Sequence, residues 1–296
     1  MLDRIGFIGL GIMGLPMAGH IVSSGYPLTA YDLNPSRLSS LLEAGATAAK
    51  SPSEVASMSD ITITMVPDSP DVEAAICGPE GVINGAVEGS VVIDMSTISA
   101  NTSRSLAARL SKRGVAMLDA PVTGGQWGAE EASLSIMVGG DKATLERCLP
   151  VLQVLGGLVT HMGSTGAGHT AKLANQILSA GCLSGVNEAL LFASKSGLDL
   201  QVFLEAALKG AGRSWHLETM GPRIIEGNFA PGFLVRHMQK DLRLVQEAAA
   251  EMALPLPMSD QQVQLYRSVE AAGGSEMGHH ALIKALETLA GIEARV

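Results

Sequence analysis

Basic residues are in short supply: 20 Lys and Arg stand against 29 Asp and Glu in 296 residues, for a net charge of −9. The Lys and Arg clusters that phosphate backbones need are missing, which argues against nucleic acid as a partner. Small anionic ligands stay open, because they feel only the local field of a cleft. Cysteine is scarce as well. Cys77, Cys148 and Cys182 lie far apart with no C-x-x-C pair. That disfavours a disulfide framework or a zinc site and makes a reducing cytoplasm the default. The seven histidines form no H-E-x-x-H, so no metal is expected, and the lack of a G-x-S-x-G elbow disfavours a hydrolase. No run of 18 or more apolar residues is free of polar interruption, so no membrane span is expected. Aromatics make up only 3% of the chain, against 34 Gly and 14 Met, a mix that suits closely packed helices and tight turns around a ligand.

What is present divides into two textures. Arg4 followed by the apolar run Ile5 to Ala18 superficially resembles a secretion leader, but its spaced glycines and the pattern that continues beyond it read as a buried strand and a turn. Up to about Met162, short β-rich runs alternate with helical patterns. The runs are Arg4–Ile8, Leu28–Tyr31, Ile61–Met65, Val91–Asp94, Ala116–Asp119, Ser135–Val138 and Val159–His161. The helical patterns include Gly14–Ser24, Ser36–Ala44 and Ser103–Lys112. Most of the runs are continuous rather than alternating, the mark of strands covered on both faces of a parallel sheet. The expected fold is α/β: a Rossmann-type, doubly wound, mostly parallel sheet over residues 1–163. After Gly163 the strand signals stop. Residues 164–296 read as an all-helical domain that starts with a long helix at Ala167–Lys195. Further helices follow at Asp199–Leu208, Trp215–Glu226, His237–Glu251, Met258–Ala272 and His279–Ala290.

Gly9-Leu10-Gly11-Ile12-Met13-Gly14 follows the first strand and opens the first helix. The first glycine permits the turn, the second lets backbone approach a pyrophosphate, and the third lets helix and strand pack closely. Asp32, at the end of the second strand, is placed to accept hydrogen bonds from an adenine ribose. Together these predict a dinucleotide site, NAD more than NADP, because a carboxylate repels a 2′-phosphate; Arg37 nearby partly counters that preference. Ser96 and Thr97 follow the fourth run, where ligand loops gather. They read either as cofactor contacts or as an ordinary hydroxyl cap.

Hydride transfer to a carbonyl leaves charge on oxygen and calls for a proton donor beside a carboxylate cradle. Asp119-Ala120-Pro121-Val122-Thr123-Gly124-Gly125 ends a strand in a glycine-rich loop whose N–H groups suit a carboxylate. Gly166 to Asn175 opens the long helix, with Lys172 and Asn175 on one face. Lys172 sits among Ala171, Leu173 and Ala174. It is either a desolvated acid–base group or a lysine that snorkels to water.

Four stretches together carry a resemblance: Phe7 to Met17, Asp119 to Gly125, Gly166 to Asn175, and Lys240-Asp241-Leu242. In order and spacing, over essentially the whole chain, they resemble the β-hydroxyacid dehydrogenase family, which includes 3-hydroxyisobutyrate dehydrogenase and tartronate semialdehyde (2-hydroxy-3-oxopropionate) reductase. The resemblance implies that Lys172 is the acid–base group and that Asn175 orients it and the substrate. It implies that Thr123, Gly124 and Gly125 bind a small carboxylate, and that Thr97 and Lys240 contact the cofactor. It also implies a homodimer or homotetramer. Many members have Ser where this chain has Thr123, so the added methyl narrows the pocket. Tartronate semialdehyde is the first substrate expectation and 3-hydroxyisobutyrate the second. The rivals are a decarboxylating 6-phosphogluconate dehydrogenase, whose chains are longer, and a non-catalytic dinucleotide sensor, in which Lys172 would be replaced. Trp127, Trp215, Phe233, Arg213 and Arg236 have both pocket-lining and structural readings, and His279-His280 reads as a helix-start pair.

Overall fold

The computed structural model describes residues 2–296. The chain forms two compact units, one up to Lys172 and the other from Leu173 to Val296, with the boundary inside a helix.

The first unit is built on strands Ile5–Ile8 (β1), Leu28–Tyr31 (β2), Thr47–Ala48 (β3), Ile61–Thr64 (β4), Val91–Asp94 (β5), Ala116–Asp119 (β6), Val122–Thr123 (β7), Ser135–Gly139 (β8) and Leu158–Gly163 (β9). The hydrogen-bonded order is β3-β2-β1-β4-β5-β6-β8-β7, and β9 pairs with β8. The first six strands run parallel in the 3-2-1-4-5-6 order of dinucleotide-binding sheets. Every residue of β1, β4 and β5 is buried. Successive side chains of a strand point to opposite faces. Accordingly Ile5, Phe7, Val91 and Ile93 join one apolar cluster with Met17, Ile21 and Leu152. Ile8 and Val92 join the other, with Val55, Ile76, Leu106 and Leu110.

The covering helices of this unit are Gly14–Ser23 (α1), Ser39–Glu43 (α2), Pro52–Ser57 (α3), Ser69–Cys77 (α4), Ala100–Ser111 (α5), Gly125–Glu130 (α6) and Lys142–Leu155 (α7). Several start on side-chain caps, as at Ser51, Asp68, Ser99 and Asp141. Three details differ from the sequence reading. Thr47–Ala48 is a short strand, parallel to Thr29 and Ala30, that the expected runs do not include. Val122–Thr123 is a strand, antiparallel to Ile136 and Ser135, where a loop was expected. Gly125 then opens a short helix rather than continuing that loop. A two-residue strand shows no alternation, so only its partner reveals it.

Helix Ala167–Lys195 (α8) crosses the boundary. It has the length and apolar composition of a membrane span. Buried polar side chains at Lys172, Gln176 and Asn187 interrupt it. The second unit continues with Leu200–Ala207 (α9), Trp215–Ile225 (α10), Val235–Glu251 (α11), Pro257–Ala271 (α12) and Ile283–Ala290 (α13). Val235, Met238 and Leu242 of α11 pack with Val263, Tyr266 and Val269 of α12 and with Ala281, Leu282 and Ala285. The reading of His279–Ala290 as one helix is refined: His279–Leu282 is a 3-10 turn and α13 starts at Ile283. At the end of the chain, Arg295 grips the Glu287 carboxylate through two nitrogens, at 2.6 and 3.0 Å.

Candidate active site

The turn between β1 and α1 is set by backbone sterics. Gly9 has φ +97°, and a Cβ there would stand 2.3 Å from the Met65 carbonyl oxygen. A Cβ on Gly14 would lie 1.9 Å from the Gly9 carbonyl oxygen. Both must be glycine for the helix to close on the strand. Gly11 differs: nothing lies within 4 Å of where its Cβ would be, so its backbone is open to a ligand. Beside it, Leu10 is buried and Ile12 is exposed. Helix α1 starts after Met13 with no side-chain cap and no acidic residue in its first turn, which leaves its positive end for an anion.

Asp32 follows β2 and is buried. One carboxylate oxygen accepts the Leu10 N–H at 2.6 Å and the other accepts the Asn34 N–H at 2.7 Å. The acid therefore holds the glycine turn as well as facing its mouth. Arg37 lies 3.5 Å from both oxygens and is half exposed. An open Gly11, an uncapped helix start and an acid at the second strand's end fit a dinucleotide, with pyrophosphate at the turn and ribose at Asp32.

The carboxyl ends of the neighbouring strands carry the remaining candidates of this unit. Ser96 is fully buried, and its hydroxyl accepts the Val66 N–H at 3.0 Å, tying the loops after β4 and β5 together. Thr97 beside it is half-buried. Thr123 ends β7. Gly124 (φ +133°) and Gly125 (φ +64°) turn the chain into α6, where Trp127 is half-buried. Lys172 lies in the second turn of α8 and is buried, 7% exposed. The first turn of that helix is held by Asp119 at the end of β6, whose carboxylate accepts the Gly166 and His169 N–H groups.

In the second unit, Asn175 donates to Gln176 Oε1 at 3.3 Å, and Gln176 donates to Asp241 Oδ2 at 2.6 Å. Lys240 lies 2.9 Å from Asp241 Oδ1, with a side chain only 17% exposed. Lys240 is thus held by a buried acid that α8 itself secures. The sequence reading did not pick out Gln176 as that link. Its signal is the run Asn175-Gln176 facing Lys240-Asp241, which needs the helix pairing to be seen. The ambiguous residues resolve in part. Trp215 is 53% exposed, so it is not core. Phe233 packs against His279 and His237. Arg213 and Arg236 pair with Glu218 and Glu276 on the surface.

This sheet order and glycine turn define a dinucleotide-binding protein of the Rossmann type. The comparisons with known proteins narrow the class. Residues 4–163 match the NAD binding domain of 6-phosphogluconate dehydrogenase, and residues 166–286 match the NAD-binding domain of NADP-dependent 3-hydroxyisobutyrate dehydrogenase. The 2-hydroxy-3-oxopropionate reductase of Escherichia coli (strain K12) is 42% identical over 97% of this chain and 98% of its own. The NAD-dependent L-serine dehydrogenase of Pseudomonas aeruginosa is 37% identical over 93% of this chain and 95% of its own. The solved 3-hydroxyisobutyrate dehydrogenase of Mycobacterium tuberculosis with L-serine superposes with a TM-score of 0.88 at 33% identity, covering 97% of this chain and 99% of that one. The chain belongs to the β-hydroxyacid dehydrogenase family, and it is an NAD(P)-dependent 3-hydroxyacid dehydrogenase.

Proposed function

We propose that this enzyme interconverts tartronate semialdehyde and its hydroxy acid, with NAD(H) preferred over NADP(H). The observation that carries the substrate is the 42% identity, over nearly the full length of both chains, with a 2-hydroxy-3-oxopropionate reductase. When bound, the nicotinamide dinucleotide would supply hydride chemistry at this site. Lys172 gives a proton to the carbonyl oxygen as charge develops there, and takes it back in alcohol oxidation. Its burial supports this role, because a lysine is seldom desolvated without one. Asn175 orients the substrate and Lys172. The Thr123 hydroxyl and the N–H groups of Gly124 and Gly125 hold the substrate carboxylate. Thr97 and Lys240 would hold the cofactor, with the turn from Gly9 to Gly14 and Asp32. The preference for NAD rests on the Asp32 carboxylate, which repels a 2′-phosphate. A homodimer or homotetramer in the cytoplasm is part of the proposal.

A second reading, oxidation of 3-hydroxyisobutyrate or L-serine, is favoured by the structural likeness to the Mycobacterium tuberculosis enzyme with L-serine. Initial rates decide between them. NADH and NADPH are tested against tartronate, succinate and methylmalonate semialdehydes, and the oxidised cofactors against glycerate, 3-hydroxyisobutyrate and L-serine. The highest kcat/KM is expected for tartronate semialdehyde with NADH. A higher value for another acid replaces the substrate, and NADH binding with no turnover on any of them leaves a dinucleotide sensor.

A further inference from the structure

Three strands end side by side in one rung. Thr64 of β4 is the register partner of Asp94 of β5, and Asp94 is the register partner of Asp119 of β6. In-register neighbours of parallel strands share a face, so two carboxylates meet at the carboxyl edge of the sheet, both wholly buried. Two desolvated like charges repel unless each has its own partners. Asp94 Oδ1 accepts the Thr64 hydroxyl at 2.7 Å and the Ser96 N–H at 3.2 Å. Asp94 Oδ2 lies 3.2 Å from Nε2 of the fully buried His169, off the line of a hydrogen bond. Asp119 spends its two oxygens on the helix: Oδ1 accepts the Gly166 N–H at 2.7 Å, and Oδ2 accepts the His169 N–H at 3.0 Å. The positive end of α8 thus answers one acid, and the Thr64 hydroxyl and the Ser96 N–H answer the other, with the His169 ring close beside it.

The closeness of this seat is built in. A Cβ on Gly168 would stand 2.4 Å from the Met137 carbonyl oxygen and 2.5 Å from that of Asp119. A Cβ on Gly139 would stand 2.7 Å from both Asp119 carboxylate oxygens. Apolar packing alone fixes how near a helix lies, and leaves it free to roll about its axis. Hydrogen bonds to two oxygens of one carboxylate, with a third contact through His169, fix the roll as well. Lys172 follows His169 at i+3, about 4.5 Å further along the helix axis.

We infer that the rung Thr64–Asp94–Asp119, with His169, is a positioning device that sets where the Lys172 ammonium stands; Asp94, Asp119 and His169 are positioning residues for proton transfer. The inference rests on the reading of Lys172 as the acid–base group. Asp119→Asn replaces one acceptor with a donor that opposes a helix N–H. His169→Leu leaves Asp94 without its third partner, and His169→Gln restores a polar donor of similar reach.

The test uses the full-length enzyme. It measures kcat, KM, the pH profile of kcat and NADH affinity, normalised to folded protein, for these variants and for Lys172→Ala. A misplaced catalytic group costs up to about 100-fold in rate. Asp119→Asn and His169→Leu are therefore expected to lower kcat by about 10- to 100-fold and to shift the pH profile, with NADH affinity kept and His169→Gln recovering most of the loss. If Asp119→Asn does not fold, Asp94→Asn and Thr64→Val give the same readout with a smaller change. Unchanged kcat and pH profile in the rung variants, with Lys172→Ala inactive, overturns the positioning role and leaves the Lys172 reading standing. An active Lys172→Ala enzyme overturns both.

Discussion

Lowering the pH from 7 to 5 is expected to loosen the second unit through three buried histidines. His216, His279 and His280 are 9%, 5% and 1% exposed. The His279 ring lies 5.9 Å from that of His216 and 6.0 Å from that of His280, with Phe233 edge-on at 5.6 Å. His216 shares a hydrogen bond with the Ser179 hydroxyl at 3.0 Å, and His280 Nε2 donates to the Asn228 carbonyl oxygen at 2.8 Å. Burial holds His216 down to about 4. Burial, with the neighbouring His216 and His280, holds His279 down to about 3. Burial also holds His280 down to about 4, against the bond to Asn228, which raises it.

In the unfolded chain all three titrate near the usual value of about 6.5. The folded pKa values lie below the unfolded ones, so the unfolded state binds more protons between the two. Stability is complete above pH 6.5 and is lost as the pH falls from there towards 4. At pH 5 the unfolded chain holds nearly three more protons on these residues, a slope of roughly 4 kcal/mol per pH unit. Integrated from pH 7 to 5, the loss is on the order of 5 kcal/mol, a large part of a typical stability of about 5–15 kcal/mol. His237, lowered first by burial and then by Arg236 and Lys240, adds in the same direction. Asp60 and Asp141, each held below the usual aspartate range by hydrogen bonds, act only at lower pH and do not blur this window. Chemical denaturation at half-unit pH steps measures the slope. His279→Asn should flatten it by about a third. Stability that stays level between pH 7 and 5 would refute the reasoning.

Two further outcomes are expected. Asp32→Asn keeps an acceptor for the Leu10 N–H but removes the charge that repels a 2′-phosphate; the NADPH-to-NADH ratio of kcat/KM should rise by about tenfold, or 1.4 kcal/mol, and an unchanged ratio counts against Asp32 as the selector. Tyr266 is wholly buried, and its hydroxyl has no hydrogen-bond partner among the described residues. Burial also raises the pKa of that hydroxyl. Tyr266→Phe should therefore leave stability unchanged or raise it by about 1 kcal/mol in denaturant unfolding, and a comparable loss would mean the hydroxyl is satisfied in solution.

The sequence by itself determined whatever is encoded over a few residues. Gly14 is legible because the clash it avoids is with the Gly9 carbonyl five positions away in the same turn, and Gly9 because that turn demands a φ of +97°; the clash of a Gly9 Cβ with the Met65 carbonyl comes from the neighbouring strand. The runs of β1, β4 and β5 are legible because burial on both faces demands unbroken apolar residues. The length of α8 and the oddity of a lysine among alanines and leucine are legible for the same local reason. Tertiary structure alone decided what depends on neighbours distant in the chain. Val122–Thr123 is a strand only because Ser135 and Ile136 lie beside it. Gln176 secures Asp241 across 65 positions, and Asp119 seats a helix that starts nearly 50 positions later. Thr64, Asp94 and Asp119 become one rung only when strand order places β4, β5 and β6 together. Spacing along a chain carries helix and strand periods; it carries no record of which strand will lie beside which, and a buried charge is tolerated only by partners that this order supplies.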